Sequence, residues 1–266
     1  MLEYNSGVDL GIAGCRAIVC ASSRGLGHAC ATALAAEGVN VVINGRDAAQ
    51  LKRSAAALSA AFAVEVQSVC ADVTTPDGRA ALLDACPQPD ILINNNAGPP
   101  PGRFTSLDAE DWRAGLEGNL IAALMLTTAV IDGMRARRFG RIVNITSAMV
   151  TTPRPSMALS SAARAGLTAA VKGLSIEVAP DNVTINNLLP ERFDTDRQRF
   201  MAERVMAAEG ITYAQARQRQ EDSIAARRLG RPEELGAACA FLCGRQAGYI
   251  SGNNIHMDGG SYPGLI

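Results

Sequence analysis

Residues Cys15 to Gly38, CRAIVCASSRGLGHACATALAAEG, decide the fold. The run AIVC has the length and apolar character of a buried strand, the next residues hold two glycines in a tight turn, and the remainder has helical spacing. A strand, a glycine turn and a helix in succession open a parallel βαβ unit. Working outward, the same alternation repeats to the end of the chain. Strands are predicted at Val39 to Asn44, Val64 to Cys70, Ile91 to Asn95, Arg141 to Thr146, Val183 to Leu189 and Asn254 to Met257. Alanine-rich helices are predicted at 28–37, 47–61, 76–86, 108–137, 157–179 and 232–243. Such a chain forms an α/β fold: one doubly wound, Rossmann-type domain, with a parallel sheet of about seven strands covered by helices on both faces.

The totals agree with this and narrow the functions open to the chain. Of 266 residues 48% are hydrophobic and 19% charged, which supplies ample core. A net charge of -1 gives no footprint for nucleic acid or an anionic membrane. The apolar stretches are read as interrupted short of a membrane span, so a cytoplasmic address is expected. Seven cysteines, an odd number without a paired framework, suit reduced thiols, and with only two histidines no metal site is expected. Residues 1 to 14 read as an irregular leader. No linker divides the chain, and residues 191–230, charged and helix-prone, form its one interruption. Lying after the sixth strand, they are either a substrate lid or a solvated helical insertion.

The turn Ala21-Ser22-Ser23-Arg24-Gly25-Leu26-Gly27 follows a strand and opens a helix, a context that brings backbone amides and the helix dipole against a pyrophosphate. After the second strand, Gly45-Arg46 stands where an NAD-binding chain tends to place an acidic residue. Arg46 and Arg24 suit a ribose 2′-phosphate, so NADP is expected rather than NAD. The alternative is that Arg46 caps its strand and faces water. Asp72-Val73 and Asn94-Asn95 end two further strands at the same carboxyl edge. Between Asn144 and Lys172, a strand ends in Thr146 and Ser147 and a helix follows carrying Ser160 and Arg164 one turn apart, placing three polar side chains near one volume.

Taken together these stretches resemble the short-chain dehydrogenase/reductase family. The matching marks are SSRGLG at 22–27, ADV at 71–73, DILINN at 90–95, Asn119, GRIVNITS at 140–147, ARAGL at 163–167, the strand and proline at 185–190, GRPEEL at 230–235 and YISGNNIHMDGG at 249–260. The subgroup it resembles is that of the 3-oxoacyl-acyl-carrier-protein reductases. The resemblance implies hydride transfer between NADP(H) and a carbonyl or secondary alcohol, with a 3-oxoacyl thioester among the substrates, and a homotetramer packed through 108–137 and 157–179. It places cofactor contacts at Ala21, Ser23, Arg24, Gly25, Leu26, Gly27, Arg46, Asp72, Val73, Asn95, Arg164, Pro190, Glu191 and Thr195.

In this family a tyrosine acts as acid/base, a lysine four residues later clamps the ribose, a serine thirteen before the tyrosine binds the substrate oxygen, and an asparagine completes a proton relay. Carried over, the asparagine is Asn119 and the serine Ser147, but the tyrosine position is Ser160 and the lysine position Arg164. An aliphatic hydroxyl is a far weaker acid than a phenol, and arginine keeps its proton. Ala21 replaces the first glycine of the turn, Asn96 precedes Ala97-Gly98, and Glu191 follows Pro190 where glycine is usual. Glu191 is either a replacement acid or a residue turned to solvent. Tyr4, Tyr213, Tyr249 and Tyr262 lie off the catalytic helix, and only Tyr213, in the lid, is within imaginable reach of a substrate. Two functions follow: an NADP-dependent oxidoreductase with a changed proton path, or a catalytically degenerate NADP-binding sensor or interaction protein of the same fold.

Overall fold

The computed structural model describes residues 8–265; Tyr4 and the first part of the expected leader lie outside them. Seven parallel strands, β1 (Arg16–Val19), β2 (Asn40–Gly45), β3 (Val66–Cys70), β4 (Ile91–Asn94), β5 (Gly140–Ile145), β6 (Val183–Pro190) and β7 (Asn254–Met257), form one sheet in the order β3-β2-β1-β4-β5-β6-β7. The order reverses between β1 and β4, and at such a switch point strand ends diverge and leave a crevice. The connecting helices are α1 (Gly25–Ala36), α2 (Ala48–Ala61), α3 (Pro76–Ala85), α4 (Ala109–Leu116), α5 (Ala122–Arg137), α6 (Ala158–Val178), α7 (Asp196–Glu209), α8 (Tyr213–Asp222) and α9 (Pro232–Cys243).

Alternation along the strands separates two cores. Ile91 and Ile93 face Leu34 of α1 and Leu235 and Cys239 of α9. Leu92 and Ile142 face Leu126 and Met134 of α5 and Leu167 and Val171 of α6. All seven cysteines are free thiols, most of them buried. The helical stretch 109–137 corrects the expectation drawn from apolar runs: by length and composition it could cross a membrane. One face of its α5 segment, from Leu126 to Met134, is nevertheless packed into the second core.

Two departures from the expected elements bear on the site. Helix α1 begins at Gly25 rather than 28, and Arg24 at its N-cap gives no side-chain hydrogen bond, so the first-turn amides are those of the glycine turn itself. The helix expected over 108–137 is interrupted by a π-helical turn at Glu117–Ile121, which carries Asn119. Single π turns widen a helix locally and gather at functional sites.

A polar ladder crosses the sheet just inside its carboxyl edge. Asn94, Asn144, Asn187 and Asn254 are neighbours in register on β4, β5, β6 and β7. Asn94 Nδ2 donates to Asn144 Oδ1 at 2.8 Å, Asn144 Nδ2 to Asn187 Oδ1 at 2.9 Å, and Asn187 Nδ2 to Asn254 Oδ1 at 2.9 Å. Asn94 Nδ2 also reaches Thr127 Oγ1 of α5 at 3.1 Å, fastening that helix to the ladder. Because removing one member leaves buried partners unsatisfied at about 1–3 kcal/mol each, Asn144→Leu is expected to cost about 2–4 kcal/mol in chemical denaturation. A change below about 0.5 kcal/mol, the level of an ordinary surface substitution, contradicts this role for the ladder.

Candidate active site

Loops following six strands enclose one cleft of about 730 Å³ at the carboxyl edge. From β1 come Ala21, Ser23, Arg24, Gly25 and Leu26; from β2, Gly45 and Arg46; from β3, Asp72 and Val73; from β4, Asn95 to Gly98. The far side is made by Ser147, Ser160 and Arg164 after β5 and by Pro190, Glu191 and Thr195 after β6. Residues expected from sequence to share a site thus line one continuous surface, with two exceptions. Gly27 lies beneath the turn, and Asn119 lies behind the cleft on a smaller cavity.

The glycine turn is shaped by close contacts. A Cβ on Gly27 would stand 2.4 Å from Ala21 O, so this position needs glycine to close the turn rather than to admit a ligand. Gly25 has φ +62, and Ala21 takes φ +45, a conformation that costs a non-glycine residue energy. Ala21 is held there from both sides: Asn44 Oδ1 accepts its N–H at 3.2 Å, and Asn95 Nδ2 donates to its carbonyl at 3.2 Å. The Asn95 side chain therefore braces the turn. Ser23 O accepts from Ser54 Oγ at 2.7 Å and from Gln50 Nε2 at 3.3 Å. The uncapped amides of α1 and two arginines at the adjoining edge form a fitting cradle for a dinucleotide with a 2′-phosphate. Arg46 faces water over most of its side chain, which is 71% exposed, and lies 3.5 Å from Asp72, while Arg24 lies 3.9 Å from Asp196 of α7. Burial pushes the Asp72 carboxyl up, but hydrogen bonds from Thr74 and the charge of Arg46 outweigh it and hold it below its ordinary value.

At the other end, Ser147 caps the short turn Ala148–Val150, its Oγ accepting Met149 N–H at 3.2 Å. That use of the oxygen leaves the hydroxyl proton free to donate. The Ser160 side chain is buried to 3% exposure and has no hydrogen-bond partner among the described residues. Arg164, one turn further along α6, donates from Nη1 to Ile145 O at 2.8 Å and to Thr146 O at 2.7 Å. Its Nε is buried without an acceptor, and no carboxylate pairs with it among the described residues. Burial, reinforced by the charge of Arg197, pushes the guanidinium down to about 10. An unpaired buried charge costs several kcal/mol, which the surrounding fold must offset.

Glu191 corrects the reading that turns it to solvent: its side chain is 9% exposed and paired with Arg154 at 3.0 Å and Arg192 at 3.4 Å on the cleft wall. Tyr213 is absent from the cleft, Tyr249 is fully exposed, and Tyr262 stacks on His256. No tyrosine, histidine, lysine or cysteine lines the cleft among the described residues. Behind it a cavity of about 20 Å³, the size of one water molecule, is lined by Asn94, Asn119 and Arg164. Both Asn94 and Arg164 line this cavity, and each has one buried atom without a hydrogen-bond partner, the acceptor Oδ1 and the donor Nε. Asn119 Nδ2 donates to Ala97 O at 3.4 Å. Sequence reasoning missed Arg197, which lines the cleft from α7 and donates to Pro99 O at 3.0 Å. Its only sequence signal was a charged stretch following the sixth strand.

Comparison with known proteins assigns this architecture. The family described as Enoyl-(Acyl carrier protein) reductase matches residues 20–262. NADPH-dependent reductase BacG of Bacillus subtilis is 32% identical over 250 residues, covering 92% of this chain and 96% of its own. The 3-oxoacyl-[acyl-carrier-protein] reductase FabG of Escherichia coli gives the same identity and the same coverage. The structure of L-sorbose reductase from Gluconobacter frateurii, complexed with NADPH and L-sorbose, matches with a TM-score of 0.92 at 30% identity, covering 97% of this chain and 100% of its own. With the glycine turn, the switch-point cleft and a match that runs nearly end to end, the chain belongs to the short-chain dehydrogenase/reductase family.

Proposed function

We propose that this chain is an NADP-dependent reductase of carbonyl compounds, forming a single catalytic domain in which residues 191–230 act as the lid. The observation that carries the reading is the single cleft joining the phosphate-type cradle at Ala21 to Gly25 with Ser147, Ser160 and Arg164. NADPH is the cofactor of the relatives BacG and L-sorbose reductase, and Arg24 and Arg46 supply the charge that a 2′-phosphate requires. Thr195 to Gln198 and Met201 face the cleft from the lid, which supports its covering role. Exposed Ile121, Met125 and Ile176 on the faces of α5 and α6 and the turn between α4 and α5 support association as a homotetramer. A cytoplasmic location fits a chain with seven free thiols.

When bound, the dinucleotide supplies the hydride. The protein polarises the substrate oxygen and arranges its protonation. Ser147, its own oxygen engaged by Met149 N–H, and Ser160, without another partner, direct hydroxyl donors toward the oxygen on which negative charge develops. Arg164 contributes a fixed positive charge and holds the end of β5, but it does not pass on a proton. The proton comes from solvent, and Asn119, Asn94 and Arg164 offer a water-sized station behind the site. The competing reading, a degenerate cofactor-binding protein, draws on the lack of any phenol or imidazole in the cleft.

Three measurements test this. Arg46→Ala is expected to weaken NADPH binding about 10- to 100-fold in fluorescence titration, with little change for NADH, because it removes a charge-assisted contact. Equal weakening for both cofactors contradicts the assignment. NADPH oxidation by a panel of carbonyl compounds is expected, falling about 100-fold in Ser147→Ala; NADPH binding without turnover across the panel favours the degenerate protein. Since no histidine, cysteine, tyrosine or lysine lines the cleft among the described residues, kcat/KM is expected to show no break from an enzyme group between about pH 6 and 9. A clear inflection near neutrality identifies an acid that this account does not contain.

A further inference from the structure

We propose that the ion pair between Arg154 and Glu191 closes a collar around the substrate end of the cleft and so determines which carbonyl compounds are reduced: compact ones are admitted, and those with a bulky group beyond the carbonyl are excluded. This rests on the reductase reading and names the substrate class that its site would take. The collar is built from the loops that follow β4, β5 and β6, the last of which runs into the first turn of α7. One polar contact joins each pair of them. Between the first two, Gly102 N–H donates to Ser156 O at 2.9 Å. Between the second and third, Arg154 Nη2 donates to Glu191 Oε1 at 3.0 Å. Between the third and the first, Arg197 Nη2 donates to Pro99 O at 3.0 Å. Three segments joined pairwise make a closed ring, and Gly98, Arg154, Ser156, Glu191 and Arg197 all line the cleft.

The composition of these loops stiffens the ring. Six of the chain's twelve prolines lie in them, Pro99, Pro100, Pro101, Pro153, Pro155 and Pro190. Proline fixes its own φ and restricts the residue before it. Arg154 stands between two prolines, in extended backbone at φ -116 and ψ 145, and offers its side chain from a main chain with few alternatives. Opposite, Glu191 is fixed to the sheet, its N–H donating to Met257 O of β7 at 3.0 Å. The chain then turns at Arg192, which holds φ +50, and the two ends of the lid are joined at that point. Gly230 N–H donates to Arg192 O at 3.1 Å and Asp194 N–H to Gly230 O at 2.8 Å. Neither side of the ion pair is therefore free to follow a larger ligand outward.

The pair also stands at the mouth. The Arg154 side chain is 43% exposed and that of Glu191 9%, so the contact runs from water to the cleft wall. A substrate has to reach Ser147 and Ser160 from this side, because the cradle for the dinucleotide follows β1, β2 and β3, across the switch point from the three collar loops. A cleft of about 730 Å³ is of the size that takes one drug-sized ligand, and this one has to hold a dinucleotide as well. The space left for the carbonyl compound is small, and the collar bounds it.

Two methyl ketones test the proposal, butan-2-one and 4-phenylbutan-2-one, which differ only in a ring beyond the carbonyl. Arg154 carries the mutational arm, since Glu191 keeps Arg192 as a partner when Arg154 is removed. With saturating NADPH, Arg154→Ala is expected to raise kcat/KM for the phenyl ketone about tenfold and to leave that for butan-2-one within about twofold. Arg154→Lys, which keeps a charge, is expected to retain the wild-type ratio. In a Glu191→Gln background Arg154→Ala is expected to change the ratio little, because both act through one contact. A wild type that uses the two ketones equally well overturns the proposal and leaves the reductase standing. So does an unchanged ratio in Arg154→Ala, or the full effect of that change persisting beside Glu191→Gln. Where neither ketone is reduced, the carbonyl panel decides the reductase and amide exchange decides the collar alone. In the NADP⁺-saturated protein, Arg154→Ala is expected to speed deuterium uptake about fivefold at 99–103 and 192–198, segments that do not contain residue 154. Acceleration confined to 150–157, or none, refutes the collar.

Discussion

Arg164 Nη1 ties together the last two carbonyls of β5 while the rest of its guanidinium is left without an acceptor. Much of the active edge can be understood from that arrangement. The bonds to Ile145 O and Thr146 O fix the direction in which the chain leaves the sheet, and so fix Ser147. The helix that carries Arg164 also presents Ser160 one turn earlier, and its buried charge acts on whatever enters the cleft. A lysine at this position would offer a single compact charge on a flexible stem. The arginine is a rigid fork, part structural brace and part unpaired cation.

The change at Arg164 alters the division of labour expected in a hydride-transfer site. With a phenol and a lysine the protein would hold both the acid and the group that tunes it. Among the described residues the cleft holds no phenol, imidazole, thiol or amine, and Glu191 is paired with Arg154 and Arg192. What remains is polarisation by hydroxyl donors in a positive field, with protons arriving from water. A slower chemical step follows from such an arrangement, since a positioned general acid accounts for about 10² to 10⁴ in rate.

Most of the frame was legible in the sequence because it depends on local periodicity. All seven strands and the alternation with helices were read within a few residues, and the glycine turn was placed at the front of α1. The positions of Ser147, Ser160 and Arg164 on one cleft followed from helix spacing and from the end of a strand. What escaped depends on register between distant segments. The asparagine ladder needs four strands aligned side by side, and four asparagines near strand ends do not announce it. The π turn holding Asn119 leaves no mark in an otherwise helical stretch. Glu191 and Arg197 took on meaning only once the lid and the loop after β5 were folded against them. The close contact that requires glycine at Gly27 is likewise visible only in the folded turn, where a Cβ would meet the Ala21 carbonyl.

The central claim is that one cleft joins an NADP cradle to two serine donors, and the most direct measurement is a crystal structure of the protein with NADP⁺ and a ketone. The account expects the 2′-phosphate at Arg24 and Arg46 and the ketone oxygen within hydrogen-bond distance of Ser147 Oγ and Ser160 Oγ. A structure in which the 2′-phosphate lies away from both arginines, or the ketone oxygen away from both serines, contradicts it.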